Sequence, residues 1–190
     1  MAYLLEEELN EGKLAPFGPN DPPPKVVTPV FIVDKKGSLI GRRVGDYRYF
    51  NECSEEVYYP APDAEKVLQS ASGKSVHTLM DCVWGFSAVD LDEETQINLA
   101  IITHLGLFKT TKLGYGPKQA PAVYQQKQEE SFGDLHKPNG DKLANIFVDD
   151  THIADDSIEE HLVNLEKFFT RARAKGFQYR FLKSRFLQPE

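Results

Sequence analysis

The sequence predicts an α+β fold, because strand and helix signals are mixed without the regular alternation of a βαβ protein. β-Branched apolar runs at residues 26–33 and 99–103 are typical of strands. Apolar side chains at helical spacing recur over residues 158–172, which predicts one long helix. We find no internal repeat and no low-complexity segment, so a repeat architecture is not expected.

Proline and glycine divide the first half of the chain into short elements. In chain order we predict a helix over residues 3–14, a proline-rich connector over 19–24, a hairpin of strands 26–33 and 39–48, a helix over 63–70 and a strand over 75–80. Pro16 stops the first helix and Gly73 the second, since neither residue suits a helix interior. Asp81 follows the last strand, so its carboxylate is expected at a strand end.

The second half contains the stronger helix signals. In chain order we predict strands over 99–103 and 108–113, a helix over 122–132 opened by Pro121, strands over 145–148 and 152–154, and a helix over 157–176. Ser157 and Glu160 form a capping box, and Gly176 suits the end of the helix. Its core-facing stripe is expected to be Ile158, Leu162, Leu165, Phe168, Phe169 and Ala172.

The composition fits one sizeable core, or one core with an attached lobe, in a chain of 190 residues with 41% hydrophobic and 27% charged residues. No apolar run approaches the roughly 18 residues that cross a bilayer, and no signal-peptide pattern opens the chain. We therefore expect an intracellular protein, cytoplasmic or nuclear, without a membrane partner. Cys53 and Cys82 are too few for a disulfide scaffold or a cysteine zinc site.

The net charge of −7 argues by itself against a nucleic-acid binder, which usually carries a basic surplus. The charge is uneven, however, since residues 34–48 carry +3 and residues 167–185 carry +7. Two basic segments on an acidic chain indicate that anions bind at chosen surfaces. The alternative for residues 167–185 is a solvated helix face, and charge alone does not separate the two interpretations.

Asp81, Asp149 and Asp150 stand where predicted strands end, and neighbouring strands lie about 4.8 Å apart. If these strands are neighbours, the three carboxylates share a site in which their repulsion requires a counter-charge. Hard oxygen ligands suit Mg²⁺, and two ions about 3.5–4 Å apart assist phosphoryl transfer. An Asp-Asp pair alone carries little weight, because about one arises by chance at this composition. Asp155 and Asp156 form a second pair, which we interpret as solvated loop.

Seven motifs then occur in order along the chain. They are D-Y-R-x-x-N at residues 46–51 after the basic hairpin, Y-P-x-P at 59–62, D-x-x-x-G-F at 81–86, G-x-x-x-A-P-A-x-Y-Q at 116–125, F-x-D-D at 147–150, E-H-L at 160–162 and K-S-x-F-x-Q at 183–188. Together they resemble the fingers and palm of a reverse transcriptase of the gypsy-type LTR retrotransposon or retroviral kind. No single motif is decisive, whereas seven in order are highly specific.

The resemblance implies a right-hand polymerase fold without a thumb, whose palm is a ferredoxin-like antiparallel sheet with helices packed on one face. Residues 1–75 would be mainly fingers and residues 76–190 palm, with a return to the fingers around 95–118. Asp81 and Asp149 would bind two Mg²⁺ or Mn²⁺ ions, Asp150 would shape the site and contact one ion, and the Cys82 carbonyl would complete the coordination.

The remaining candidates follow from the same resemblance. Those expected to bind the dNTP or support the template are Lys35, Arg42, Trp84, Gly85, Phe86, Tyr115, Gly116 and Gln125. Lys35 and Arg42 would neutralise the triphosphate, and Phe86 would exclude a 2′-hydroxyl. Lys183 would protonate the leaving pyrophosphate. The alternatives are that Phe86 and Tyr115 are core aromatics and that Lys183 is a surface lysine.

Several residues depart from the family pattern: Phe147 replaces a usual Tyr, Gly114 a usual Pro, Trp84 is bulky, and Asp34 lies beside Lys35. His152 and His161 are interpreted as structural, since nothing places them with a third ligand. The sequence also stops at Glu190, before the primer grip and thumb of the family. We therefore expect weak synthesis and salt-dependent binding of an RNA or DNA template-primer, with other polyprotein segments or a dimer partner supplying the thumb.

Three functions stay open at this point. The first is template-directed DNA synthesis from dNTPs. The second is a non-catalytic scaffold with a reverse-transcriptase-like fold, domesticated from a retroelement, which Phe147 and the acidic balance favour. The third is a nucleotidyltransferase that acts without a template, for which the sequence signal is no different.

Overall fold

The computed structural model describes residues 2–34, 41–60, 64–83, 85–147 and 149–189. In chain order the elements are α1 (Ala2–Asn10), β1 (Leu14–Pro16), β2 (Val27–Val33), β3 (Arg42–Gly45), α2 (Arg48–Cys53), α3 (Ala64–Ala71), β4 (Val76–Val83), a 3₁₀ turn (Phe86–Ala88), α4 (Glu93–Asn98), β5 (Ala100–Thr103), β6 (Gly106–Thr110), α5 (Ala120–Phe132), β7 (Asn145–Phe147), β8 (Asp150–Asp155), α6 (Ile158–Lys175), β9 (Gln178–Tyr179) and β10 (Arg185–Gln188). None of the helices in these ranges combines the length and the apolar character needed to cross a bilayer.

The chain forms two compact units. The first unit contains Met1–Val57 and Phe86–Ala120, and the second contains Tyr58–Gly85 and Pro121–Glu190. Each unit has its own sheet, with the helices and strands mixed in sequence. The α+β class predicted from the sequence is therefore confirmed.

The sheet of the first unit has the strand order β1-β6-β5-β2-β3. Its strands pair antiparallel except β2 and β5, which are parallel. Leu5 of α1 packs with Leu14, Ile101 and Phe108 of the sheet, and all four side chains are buried. Leu9 lies one helical turn after Leu5 and joins this core, so the apolar face of α1 covers the sheet.

Two boundaries in the first unit differ from the prediction. The first helix ends at Asn10 and not at residue 14, because Gly12 takes the left-handed conformation (φ +67°) and Leu14 begins β1. The predicted basic hairpin is present as β2 and β3, with Val33 opposite Arg42. Its return strand ends at Gly45, and the predicted turn at residues 36–38 lies outside the described residues.

The sheet of the second unit is antiparallel and has the order β10-β4-β8-β7, with β9 also paired to β4. Alternate residues of β4 are buried, and this buried face contacts two helices. Thr78 contacts His161 of α6, and Cys82 contacts Tyr124 of α5. Phe132 stacks on Phe168 at 4.9 Å between ring centroids, which joins α5 to α6. The opposite face of β4 presents His77, Leu79 and Asp81.

Helix α6 has the predicted ends but not the predicted face. Ser157 Oγ accepts a hydrogen bond from Glu160 N at 3.2 Å, and Gly176 ends the helix at φ +77°. The buried residues of the helix are His161, Asn164, Leu165, Phe168 and Ala172. The expectation that Ile158 and Leu162 face the core was wrong, since both side chains are more than half exposed.

Asp155 explains the change of face. The sequence predicted solvated loop at this position, which was wrong, because Asp155 ends β8 and its side chain is fully buried. His161 and Asn164 turn inward to donate hydrogen bonds to its carboxylate. Two polar side chains therefore occupy core positions that the hydrophobic pattern assigned to apolar ones.

Strand β4 is longer than predicted. Asp81 was expected at a strand end, whereas β4 continues to Val83, because Cys82 and Val83 pair with Tyr179 and Gln178 of β9. The sequence did not predict α2, α4, β9 or β10, each of which has six residues or fewer. Such short elements carry too few residues for a periodic signal.

Candidate active site

Asp81 and Asp150 lie directly opposite each other in the ladder between β4 and β8. Residues in this relation project from the same face of a sheet, with Cβ atoms about 4.5–5.5 Å apart. The Asp81 side chain is 26% exposed and Asp150 is exposed, so solvent reaches both carboxylates. The sequence alone left open whether these two strands pair, and the structure shows that they do. Two of the three candidate aspartates, Asp81 and Asp150, therefore lie side by side.

Asp149 occupies the turn between β7 and β8. Its carbonyl accepts a hydrogen bond from the backbone N–H of Cys82 at 2.8 Å, which fixes the turn against β4. A Cβ atom built on Gly85 would lie 2.3 Å from Asp149 Oδ1 and 2.7 Å from the hydroxyl of Tyr124. Position 85 therefore has no room for a side chain while Asp149 keeps its place.

Tyr124 and Cys82 are the buried residues that lie next to this turn. Tyr124 is fully buried, and its hydroxyl donates to Cys82 Sγ at 3.5 Å. Burial raises the pKa of the Tyr124 phenol and of the Cys82 thiol, so both groups stay neutral at physiological pH. The carbonyl of Cys82, rather than its thiol, is accordingly the atom relevant to the predicted metal site.

Two cations lie against Asp81. Arg180 Nη1 donates to Asp81 Oδ2 at 3.2 Å, and Lys183 Nζ lies 3.9 Å from the same oxygen. Lys183 was among the predicted site residues, whereas Arg180 was missed. The signal for Arg180 in the sequence was the basic segment 167–185, which did not indicate a partner 99 residues away.

The turn that carries these cations is tied to the backbone of Asp81. Arg180 N donates to Asp81 O at 2.9 Å, and Asp81 N donates to Ser184 Oγ at 3.3 Å. Ser184 Oγ in turn donates to Arg180 O at 2.7 Å. Ser184, a second residue that the sequence analysis did not single out, therefore holds the turn closed beside the candidate site.

The donor chemistry of the site fits a hard divalent cation. Asp81 and Asp150 are adjacent carboxylates of the kind that Mg²⁺ prefers, and Asp149 immediately precedes Asp150. In the part of the chain that the structure describes, no three His, Cys, Asp or Glu side chains are grouped closely enough to hold a metal ion. The site is thus a pair of carboxylates, Asp81 and Asp150, in which Asp81 accepts a hydrogen bond from Arg180.

Three candidate residues of the first unit, Phe86, Tyr115 and Gly116, lie in an aromatic and hydrogen-bonded frame. Phe86 is buried and contacts Tyr115 edge-to-face at 4.7 Å between ring centroids. Tyr115 itself is 67% exposed, so it is not a core aromatic. Gly116 adopts φ +123°, and a Cβ there would lie 2.2 Å from the Tyr47 ring.

The D-Y-R-x-x-N motif builds much of this frame. The Asn51 amide donates to Gly116 O at 2.9 Å and accepts from Lys118 N at 2.8 Å. Arg48 donates two side-chain hydrogen bonds and one backbone hydrogen bond to Asp46, and together they lower the pKa of that carboxyl to about 2. This motif contributed to the family resemblance in the sequence, but no role was predicted there for Asn51.

Four predicted residues remain to be placed. Arg42 is exposed at the start of β3, and Gln125 is half-buried on α5, where it lines a shallow cavity with Gln128. Lys35 and Trp84 lie outside the described residues.

Several cations of the two basic segments, among the residues that the structure describes, are paired with acidic side chains. In the first, Arg43 pairs with Glu8 at 2.6 Å and Arg48 with Asp46. In the second, Arg171 on α6 pairs with Asp134, while Arg180 lies on Asp81. The helical part of segment 167–185 thus fits the alternative of a solvated face, and the part after the helix belongs to the candidate site.

The comparison with protein families gives one match that covers most of the chain. The family described as Reverse transcriptase (RNA-dependent DNA polymerase) matches residues 33–190.

Similar sequences come from a fruit-fly transposon and a plant virus. The Retrovirus-related Pol polyprotein from transposon 297 of Drosophila melanogaster is 27% identical over 98% of this chain. The Putative enzymatic polyprotein of Cassava vein mosaic virus is 27% identical over 90% of it. The chain spans 17% of the first relative and 26% of the second.

Similar folds occur in solved foamy virus structures. The foamy viral protease-reverse transcriptase in complex with an RNA/DNA hybrid superposes with a TM-score of 0.81 over 97% of this chain and 23% of that chain, at 22% identity. A form of it in complex with dsDNA gives 0.83 over 100% of this chain and 31% of that one, at 22% identity. The fold of this chain is thus a reverse transcriptase polymerase fold.

Proposed function

Because the chain belongs to the reverse transcriptase (RNA-dependent DNA polymerase) family, we propose that it catalyses template-directed DNA synthesis from dNTPs on an RNA or DNA template-primer. The observation that carries the proposal is the pairing of Asp81, within β4, with Asp150 at the start of β8, where solvent reaches both carboxylates. Carboxylates placed opposite each other on one face suit the binding of divalent cations that neutralise a triphosphate.

We assign the aspartates and their neighbours as follows. Asp81 and Asp149 would bind two Mg²⁺ or Mn²⁺ ions, Asp150 would shape the site and contact one of the ions, and the Cys82 carbonyl would add an oxygen ligand. When bound, the ions lower the pKa of the primer hydroxyl and stabilise charge on the leaving pyrophosphate. Gly85 lets Asp149 occupy its position, and Lys183 supplies a proton to the pyrophosphate.

The nucleotide-binding roles are proposals of the same kind. Lys35 and Arg42 bind the triphosphate, together with the backbone N–H groups of Trp84 and Gly85. The residues proposed for the sugar, the base and the template are Phe86, Tyr115, Gly116 and Gln125. The contact between Phe86 and Tyr115 supports a shared task for these two aromatic rings.

We also propose that the first unit corresponds to the fingers and the second to the palm. The antiparallel sheet of the second unit carries the candidate aspartates, and the basic hairpin belongs to the first. The scaffold alternative gains no support from the matched relatives, which are Pol and enzymatic polyproteins.

The test is primer extension. Purified protein is incubated with dNTPs and Mg²⁺ or Mn²⁺ on a primed RNA template and on a primed DNA template. We expect extension by the wild type and its loss in Asp149→Asn. Asp156→Asn is the matched control, since Asp156 is a solvent-exposed carboxylate whose partner is Lys74. Equal extension by the wild type and Asp149→Asn contradicts the proposal, and extension without template favours an untemplated transferase.

A further inference from the structure

We propose that Arg180 is a positioning residue that competes with divalent cations for the Asp81 carboxylate and thereby sets the cation concentration that the site requires. The inference rests on the proposed function, because it assumes that Asp81 is a cation ligand. It adds a residue that the seven motifs do not contain, with a role that can be measured without catalysis.

The backbone fixes where Arg180 stands. Strand β9 pairs with Cys82 and Val83, which brings the residue after β9 beside Asp81. Arg180 N then bonds to Asp81 O, and Ser184 Oγ links Asp81 N to Arg180 O. The turn at residues 180–184 is hydrogen-bonded to both the backbone N–H and the backbone carbonyl of Asp81. The backbone of Arg180 therefore lies close enough to Asp81 for its side chain to contact the carboxylate.

The side-chain geometry makes Arg180 the stronger of the two cations at Asp81. Its Nη1 is 3.2 Å from Asp81 Oδ2, within hydrogen-bond distance, whereas Lys183 Nζ is 3.9 Å from the same oxygen. A guanidinium keeps its charge at every pH that a folded protein tolerates.

A divalent ion that binds Asp81 meets this guanidinium directly. It must displace Arg180 from Oδ2 or share the carboxylate with it at a separation of a few ångströms, where like charges repel. The Arg180 side chain is 42% exposed, so it has solvent into which it can move. Removing its charge should consequently tighten cation binding, by about tenfold for a unit charge beside a divalent ion in a solvated site.

The experiment measures Mn²⁺ binding without nucleotide or primer, from the electron paramagnetic resonance signal of the free ion. Arg180→Gln is compared with the wild type, with Arg180→Lys, which keeps the charge, and with Arg185→Gln, which removes an exposed arginine from β10. We expect about tenfold tighter binding for Arg180→Gln and wild-type binding within about twofold for the other two variants.

The outcomes separate the inference from the proposed function. Equal or weaker binding by Arg180→Gln overturns the inference, as does equal tightening in Arg180→Lys, since the effect would then not be one of charge. Mn²⁺ binding that is tighter in Arg180→Gln and absent in Asp81→Asn supports the inference about Arg180. This holds even if the protein fails to extend a primer and the proposed function is thereby contradicted. No binding by either the wild type or Arg180→Gln overturns both.

Discussion

Asp155 Oδ2 lies 2.6 Å from Nδ1 of His161, and both side chains are completely buried. Lys137 and Asn164 each donate to Oδ1 of the same carboxylate at 2.8 Å. Burial alone raises the pKa of Asp155, but the donors, Lys137 foremost, outweigh it and hold the pKa below its ordinary value. The carboxylate is therefore charged and fully engaged in the interior of the second unit.

The polar chain continues from His161 across the sheet. His161 Nε2 contacts Thr78 Oγ1 at 2.7 Å, and Thr78 Oγ1 accepts from Leu187 N at 3.3 Å. Leu187 has a left-handed backbone (φ +52°), which is costly for a residue with a side chain. Hydrogen bonds thus link β8, α6, β4 and β10.

Replacing Asp155 with Ala should destabilise the protein by about 3–5 kcal/mol. The substitution leaves the charged Lys137 and the polar His161 and Asn164 buried without their acceptor, which is the costly way to break a buried ion pair. The free energy of unfolding is measured by urea denaturation. Asp156→Ala is the control, because its exposed pair with Lys74 is worth about 0–1 kcal/mol. A loss below 1 kcal/mol in Asp155→Ala would contradict the prediction.

The protein should become less stable as the pH falls from about 7 to 5, and His152 should contribute to that loss. Burial lowers the pKa of His152, and electrostatic interactions with His77, His161 and Lys137 lower it further. The folded state therefore favours the neutral ring. This contribution is complete above the unfolded pKa of about 6.5 and is lost as the pH drops through the lower folded value.

The measurement compares urea midpoints at pH 7.5 and 5.5. His152→Gln cannot titrate and should lose less stability between the two values than the wild type does. His136→Gln serves as the control for removal of a histidine at an exposed position. An unchanged dependence in His152→Gln would assign the effect to other groups.

Local signals explain which parts of the fold could be predicted. The ends of α6 were predicted correctly because Ser157 and Gly176 act on their own helix. The hairpin of β2 and β3 and the position of β4 follow from short apolar runs in the same way. In each case the residues that carry the signal belong to the element that they define.

The incorrect or missed predictions concern features that depend on residues far away in the sequence. The buried face of α6 depends on Asp155, whose burial in turn requires Lys137, 18 residues earlier in the chain. Arg180 meets Asp81 across 99 residues, and no spacing rule indicates that contact. The motif order predicted that Asp81 and Asp150 belong together, whereas the cation beside them depends on the pairing of β9 with β4.

Replacing Gly85 with Ala should reduce primer extension by about 100-fold while the protein stays folded. The new methyl group would lie 2.3 Å from Asp149 Oδ1 and 2.7 Å from the Tyr124 hydroxyl, so Asp149 must move. Displacement of a catalytic group by about 1 Å can cost a factor of this size. Steady-state extension and a thermal melt are compared with those of Gly18→Ala, where the added Cβ has ordinary contacts. Activity within twofold of the wild type in Gly85→Ala would show that Asp149 tolerates the shift.

Asn51→Ala should raise the KM for dNTPs more than it lowers kcat. The substitution removes the hydrogen bonds to Gly116 O and from Lys118 N, which hold the segment that follows Tyr115. A neutral hydrogen bond contributes about 0.5–1.5 kcal/mol, so loss of two should weaken nucleotide binding roughly tenfold. Asn139→Ala is the matched control, because the hydrogen bonds of the Asn139 side chain to Asp141 lie within its own turn. If Asn51→Ala lowers kcat at an unchanged KM, the segment at residues 115–118 acts on the chemical step and not on nucleotide binding.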